Sequence, residues 1–302
     1  MIKQLQLDGF KLSYTSEGEG SDVLLLHGFP SNMFFWNKIK NDLLNNYRVT
    51  VVEQRGYPLS VVENANITDF NIEFLSKDVE YLIDELNLNR DLIIVGHDWG
   101  SIVGWAIASR GYVDIHKMIS ISGGTEFPPS DVYKKLKFKK GNHYITSFQD
   151  PNISNNTIAK NLDLFFRSAY RVTPNLESEL LDLSLNNLFT SYNSPTMVHN
   201  INIEELAIHF NNGLFQPIAW YSNIDLNISL ASKWRKSVNT RVSFLFGEND
   251  AAVNLNNKMK ERLQSSGTDI TIEEIPNADH WLPLTHKAVS YTHLTLPTSS
   301  QV

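Results

Sequence analysis

The residues best placed to do chemistry cluster at Gly96-His97-Asp98-Trp99-Gly100. An apolar run, Leu92-Ile93-Ile94-Val95, leads into them, and a helix-like segment from Ser101 to Ala108 follows. Strand, glycine-flanked turn and helix in that order make an elbow that presents its central side chain. Glycines flank the centre because the backbone is strained there and a side chain two positions away would clash. Serine is the usual central residue, and here it is Asp98. A serine hydroxyl must lose a proton as it attacks, so it needs a base beside it. A carboxylate is already ionised at neutral pH. Its attack on an ester carbonyl would give an awkward mixed anhydride. Attack on a saturated carbon bearing a halide or an epoxide oxygen gives an ordinary ester, which base-activated water can hydrolyse. The elbow predicts a two-step hydrolase with a covalent alkyl-enzyme intermediate on Asp98.

Three further segments fit that chemistry. Asn277-Ala278-Asp279-His280-Trp281 follows the last strand-like run. There His280 would activate the water that attacks the ester, work suited to a near-neutral imidazole. Gly247-Glu248-Asn249-Asp250 follows a strand ending at Phe246 and offers an acid to orient the imidazole and stabilise its charged form. Asp250 is the first candidate, Glu248 the near alternative and Glu126 the third; helix capping is the plain structural role for Asp250. His27-Gly28-Phe29-Pro30 follows the strand Val23–Leu26. The backbone N–H groups of Phe29 and Trp99 would form an oxyanion hole. His27 reads as a structural residue of that loop. His116, His199, His209 and His286 have no comparable placement and read as structural or solvated.

These segments need elements to carry them. Short runs at 9–14, 23–26, 49–52, 92–95, 118–121, 242–246 and 270–275 read as strands. Helical patterns at 36–44, 74–86 and 101–108 alternate with the first of them. The order β-α-β-α-β predicts an α/β fold with a mostly parallel, doubly wound sheet. From about 125 to 227 the chain turns Asn-, Phe-, Leu- and Tyr-rich, with amphipathic helical stretches and no convincing parallel strand. That segment predicts a helical cap over the C-terminal ends of the strands, where ligands bind in open α/β sheets. The expected division is a core at 1–124 and 228–288 and a cap at 125–227. Residues 289–302 read as an adapter-derived tail, with His293 outside the functional set. Trp99, Phe29 and Trp220 are candidate walls of the substrate pocket. Phe165, Phe166 and Phe210 suggest an apolar cavity, and Trp105 reads as core.

The 302 residues are 42% hydrophobic with a net charge of −7, and no block of Lys and Arg stands out. Nothing points to nucleic acid or an anionic membrane surface. No cysteine is present, so disulfide and thiol chemistry are excluded. No secretory-type apolar start and no bilayer-length apolar run is visible, which predicts a cytoplasmic protein, monomeric or homodimeric.

Together these residues resemble the α/β-hydrolase superfamily, and within it the soluble epoxide hydrolases, from about Phe10 to His286. The segments His27-Gly28-Phe29-Pro30 and Gly96-His97-Asp98-Trp99-Gly100 are similar to that family's motifs. Gln54-Arg55-Gly56-Tyr57-Pro58-Leu59-Ser60 resembles its R-G-Y-x-x-S segment, with Pro58 where Gly or Asn is usual. The resemblance implies two cap tyrosines that hydrogen-bond and protonate the epoxide oxygen. Trp220-Tyr221-Ser222-Asn223 resembles the family's W-Y-R-N stretch, with Ser222 replacing Arg. Tyr144 to Pro151 resembles its Y-x-x-x-F-Q-x-P stretch. Tyr144 and Tyr221 are the pair implied, although tyrosines commonly rim helical lids for packing alone. His143, Tyr170 and Tyr192 lie in weakly anchored cap sequence nearby. The implied partners are a small apolar epoxide and water, with no metal or organic cofactor. Haloalkane dehalogenases share Asp98, Trp99, Asp250 and His280 in type, but many carry Asn where this chain has Phe29. A dehalogenase of haloalkanes or haloacids, and a non-catalytic small-molecule binder on the same fold, stay open as alternatives.

Overall fold

The computed structural model describes residues 1–125, 127–138, 141–172, 198–234, 237–253, 257–286 and 293. All but one residue of the 289–302 tail, together with Glu126 and Tyr192, therefore lies outside the described residues. His293 itself pairs with Glu273 at 2.9 Å.

The chain opens with β1 (Lys3–Leu7), β2 (Phe10–Glu17), β3 (Ser21–Leu26), α1 (Asn37–Leu43) and β4 (Tyr47–Glu53). Then come α2 (Ile72–Glu85), β5 (Ile93–His97), α3 (Trp99–Arg110) and β6 (Lys117–Ile121). A short antiparallel pair, β7 (Lys137–Phe138) with β8 (Gly141–Asn142), lies among helices α4 (Ser130–Lys135) and α5 (Tyr144–Ser147). The helical segment continues through α6 (Pro151–Ile158), α7 (Leu162–Ala169), α8 (Ile203–His209), α9 (Phe215–Ser222) and α10 (Ile224–Ala231). The sheet resumes with β9 (Arg241–Gly247), α11 (Asn257–Gln264) and β10 (Ile270–Ile275), and α12 (Leu282–Thr285) follows the last loop.

Eight strands form one sheet in the order β1-β2-β4-β3-β5-β6-β9-β10. The β1–β2 and β2–β4 pairs are antiparallel, and every other pair is parallel. The expected mostly parallel sheet with a helical insertion is what forms. Its central strands are buried along their length because helices cover both faces. Among the described residues the β7–β8 pair is a strand element the sequence pattern did not suggest, since two residues per strand are too few to show a period.

Local chemistry sets the helix starts. The Asn71 side chain accepts from the N–H groups of Glu73 and Phe74 and begins α2. Helix α3 is buried over nearly all its faces, so it shows little amphipathic pattern, and Gly111 ends it at φ 68°. Trp105 lies in the core on that helix, its indole donating to the Ser120 hydroxyl at 3.0 Å.

The cap is fastened to the core by buried polar contacts as well as apolar packing. The Trp220 indole donates to the Arg55 carbonyl at 3.1 Å. Gln216 accepts from the Val62 N–H and donates to the Val62 carbonyl. Asn227 Oδ1 accepts the Ile72 N–H of the core at 2.8 Å. Beneath them Arg55 forms a bidentate ion pair with Asp78, at 2.6 and 2.8 Å, joining the loop after β4 to α2. The R-G-Y-x-x-S segment is itself a compact turn. The Ser60 hydroxyl donates to the Glu53 carbonyl and accepts from the Ser13 N–H, and Pro58 leaves these bonds in place.

The elbow depends on glycine. A Cβ on Gly100 would sit 2.1 Å from the Leu26 carbonyl oxygen, and one on Gly96 would sit 2.4 Å from the Gly100 oxygen. Both obstacles are backbone, so neither can swing away. Gly100→Ala is expected to lower unfolding free energy in urea melts by about 1–3 kcal/mol. Gly124, whose Cβ would meet nothing within 4 Å and whose φ is not positive, serves as the control.

Candidate active site

The sheet delivers Asp98 to the end of β5 with φ 53° and ψ −119°. That backbone costs an L-residue energy and persists only where the surroundings impose it. The Asp98 N–H donates to the Ile121 carbonyl at 2.9 Å, and its carbonyl accepts from Ser101 and Ile102. The side chain is therefore held upright at the C-terminal edge of the sheet. Its Oδ1 accepts from the Phe29 N–H at 2.8 Å, and the Trp99 N–H also stabilises the carboxylate. Gly28 lets the Phe29 loop approach this closely, since a Cβ there would lie 2.5 Å from Asp98 Oδ1. Burial lifts the Asp98 pKa above the usual carboxylate range, against the opposing pull of His280 and the two N–H groups.

His280 stands on the loop after β10 with Nε2 3.8 Å from Asp98 Oδ2. Its Nδ1 lies 3.1 and 3.2 Å from the two oxygens of Asp250. An acceptor-only carboxylate at Nδ1 places the proton there and leaves Nε2 facing Asp98. Asp250 is fully buried and also accepts from the N–H groups of Ala252 and Val253. Those two bonds close a turn rather than cap a described helix, since the next one begins at Asn257. Glu248 is turned away, accepting from the Asn277 N–H at 2.9 Å. Burial works against a charged His280, but Asp250, Asp98 and Asp279 outweigh it and raise the imidazole to about 9.

Tyr221 on α9 and Tyr144 on α5 lie over this pair. Their rings are 6.0 Å apart, and Tyr221 meets Trp99 and Phe29 edge-on at 5.2 and 5.4 Å. Burial first, and then the Asp98 charge, hold both phenols well above their ordinary pKa. Both are accordingly neutral donors at any physiological pH. Gln149 joins their two segments, donating to the Tyr221 carbonyl at 2.9 Å and the Ile145 carbonyl at 3.1 Å. Ser222, where Arg was the expected type, donates to the Phe148 carbonyl at 2.9 Å.

The aromatic walls differ in how near they come. Phe29, Phe127, Phe148 and Trp99 surround Tyr221. Trp220 reaches the site through Trp99 and Tyr57, and its indole is spent on the Arg55 carbonyl. Phe165 approaches Phe29 at 6.1 Å, whereas Phe166 packs on Phe165 and Phe210 within the cap, and Phe210 also meets Tyr57 of the core at 5.9 Å. An apolar cleft borders Trp99, lined by Ile72, Trp105, Phe127, Ile224, Ile228 and Trp234 among others.

Sequence reasoning passed over several residues that the fold brings here. His97 is fully buried, and its Nε2 donates to the His280 carbonyl at 2.8 Å. Burial, then the neighbouring His280, keep it neutral. His27 is structural as expected, accepting the Gln54 N–H at Nε2 and placing Nδ1 3.1 Å from the Gly28 carbonyl. His199 and His209 both reach from the cap to buried carboxylates, Asp279 and Glu53. Only the adjacency of His97 to Asp98 gave any hint in the chain. No helix among the described residues is long and apolar enough to cross a membrane.

Known proteins bear on this arrangement. Residues 23–287 match the model of the family described as alpha/beta hydrolase fold. The chain is 25% identical over 289 residues to "Bifunctional epoxide hydrolase 2" of Sus scrofa, spanning 90% of this chain but 50% of the pig protein. It is 25% identical over 287 residues to "Epoxide hydrolase 2" of Caenorhabditis elegans, spanning 93% of this chain and 75% of the nematode protein. In fold it is similar to an epoxide hydrolase structure from Vigna radiata, with a TM-score of 0.83 and 21% identity over 97% of this chain and 96% of that one.

The raised His280 pKa has a consequence for stability. A histidine lifted from 6.5 to about 9 by folding stabilises the native state fully below 6.5. That contribution is lost as pH rises through about 9. Thermal melts between these limits should show wild type losing more Tm than His280→Gln. Parallel curves would mean that the imidazole is not held charged in the folded protein.

Proposed function

The chain belongs to the α/β-hydrolase-fold family, and from that premise we propose that it is an epoxide hydrolase working through an ester on Asp98. The observation that carries this reading is the pairing of a gripped carboxylate with two buried neutral phenols above it. A halide leaves as a stable anion and needs only N–H donors. An opened epoxide leaves as an alkoxide and needs a proton donor. Tyr144 and Tyr221 meet the second need, and Phe29 puts an apolar ring where a halide site would use an amide. The pig and nematode relatives with epoxide hydrolase names support the same choice.

In the first step an Asp98 oxygen attacks an epoxide carbon, and the C–O bond breaks. Tyr144 and Tyr221 hydrogen-bond the epoxide oxygen, and one of them gives it a proton, leaving a hydroxyester and a phenolate. His280, charged beside the Asp98 anion in the resting site, returns a proton to the phenolate and becomes neutral. In the second step His280 takes a proton from water as that water attacks the ester carbonyl. Asp250 stabilises the imidazolium that forms. The N–H groups of Phe29 and Trp99 hold the tetrahedral oxyanion. Collapse breaks the ester C–O bond, the remaining proton of the added water passes to the leaving oxygen, and the vicinal diol departs with Asp98 as the carboxylate and His280 charged. A small apolar epoxide fits the aromatic walls around Asp98. The cytoplasm, and a monomer or homodimer, complete the proposal.

The His280→Gln protein removes the base and should trap the ester. Incubated with styrene oxide, it should gain the mass of one whole epoxide on the Asp98 peptide. Tyr221→Phe should slow diol formation about 10²-fold or more. A butyl adduct from 1-bromobutane, with none from the epoxide, would make the chain a dehalogenase. A tight complex of the folded protein with neither adduct nor turnover would make it a binder.

A further inference from the structure

The loop carrying His280 is gripped from both sides, and half of that grip comes from the cap. On the core side the Asn249 N–H donates to the Ala278 carbonyl at 2.8 Å, and His97 Nε2 donates to the His280 carbonyl at 2.8 Å. On the cap side His199 Nε2 lies 2.7 Å from Asp279 Oδ2, with both residues buried. The other oxygen, Asp279 Oδ1, accepts the Trp281 N–H at 3.0 Å and closes a tight turn around His280. The Trp281 indole donates to the Ala169 carbonyl at the end of α7. The Tyr170 ring stacks on Trp281 with centroids 4.0 Å apart. The Tyr170 carbonyl accepts the His199 N–H at 2.9 Å, which ties the two cap contacts into one clamp. Both chain neighbours of His280 are therefore held by the cap, while the polar partners of His280 itself, Asp250, Asp98 and His97, all belong to the core.

We propose that His199 is a positioning residue for His280, acting through Asp279 to hold the base for ester hydrolysis and having little part in ester formation. The inference rests on the epoxide hydrolase reading above, because the two steps demand different things of His280. Ester formation needs the Asp98 oxygen, the cap tyrosines and the imidazolium charge beside Asp98, none of which demands a close aim of Nε2. Ester hydrolysis needs Nε2 aimed at a water that must also reach the ester carbonyl, and small misplacements cost much there. The cap then contributes to both halves of the cycle through different residues: Tyr144 and Tyr221 to the first, His199 to the second. The charged or titratable groups facing His280 are Asp250, Asp98 and Asp279, with His97 beneath the ring. Any variant at Asp279 therefore alters both the placement and the charge around the base.

Single-turnover mass spectrometry with styrene oxide separates the steps. His199→Ala should form the Asp98 ester at close to the wild-type rate and hydrolyse it about 10–100-fold more slowly, the usual loss for a removed supporting partner. Asp279→Asn removes the same tether together with a charge beside His280, so it should also slow ester hydrolysis and shift its pH profile. His199→Gln, whose amide N–H can still reach Asp279, should recover most of the hydrolysis rate. Equal losses in both steps, or normal ester decay in His199→Ala and Asp279→Asn, would overturn the proposal. Melting curves identify a variant that has merely failed to fold, and His199→Gln and Asp279→Asn then decide. Absence of any ester in His280→Gln would sink the enzymatic reading instead. The positioning claim is still tested by NMR of the Nδ1 proton of His280, which bonds to Asp250. That signal should broaden and exchange faster in His199→Ala, and an unchanged signal would overturn the clamp.

Discussion

Everything at this site depends on holding one carboxylate in a conformation it would not choose. Asp98 sits at φ 53° between a strand and a helix, and nothing in its own side chain favours that backbone. The surroundings impose it by crowding. Gly96, Gly100 and Gly28 are places where a single added carbon would meet backbone or Asp98 itself within about 2.6 Å. Close approach brings the Phe29 N–H to 2.8 Å from Oδ1. The strain is repaid in geometry, because the oxygen that accepts this bond lies where an oxyanion must later be held. The buried sheet makes the arrangement rigid, since β3, β5 and β6 are covered on both faces and register with one another residue by residue.

Much of this was legible in the chain because it is local. Strand, Gly-x-Asp-x-Gly and helix are contiguous, so periodicity and glycine spacing placed Asp98 without any tertiary information. His280 and Asp250 were legible for a related reason: each directly follows a strand end, and parallel strands bring their C-terminal ends together. The choice between Asp250 and Glu248 could not come from spacing, because both lie on the same loop. What separates them is burial, with Asp250 fully enclosed and Glu248 facing the Asn277 N–H.

The cap was legible as helical but not in its contacts. Trp220 and Tyr221 are adjacent in the chain, yet one turns its indole to the Arg55 carbonyl and the other faces Asp98. His199 and His209 carry no local signal, since their partners are 80 and 156 residues away. Gln149 joins the two tyrosine segments only because α5 and α9 pack together through α6. Such long-range polar bonds belong to a particular packing and leave no periodicity for a sequence to display.

The electrostatics also give the two steps an order. In the resting site three carboxylates surround His280 and hold its proton to about pH 9. A protonated imidazole is no base, so the free enzyme has little means of activating water at neutral pH. Its charge instead stabilises Asp98 as the anion that must attack, against burial that would protonate it. Ester formation removes the Asp98 charge and with it one of the interactions retaining the imidazolium. In the proposed cycle the proton would leave for the phenolate produced by ring opening, and His280 would become a base in the one state that contains an ester to hydrolyse. Asp250 and Asp279 still face the ring and still raise its pKa, so the base can pull on water once its proton has gone. The same charge that makes Asp98 a nucleophile thus restrains the base, and its consumption in the first step releases the second.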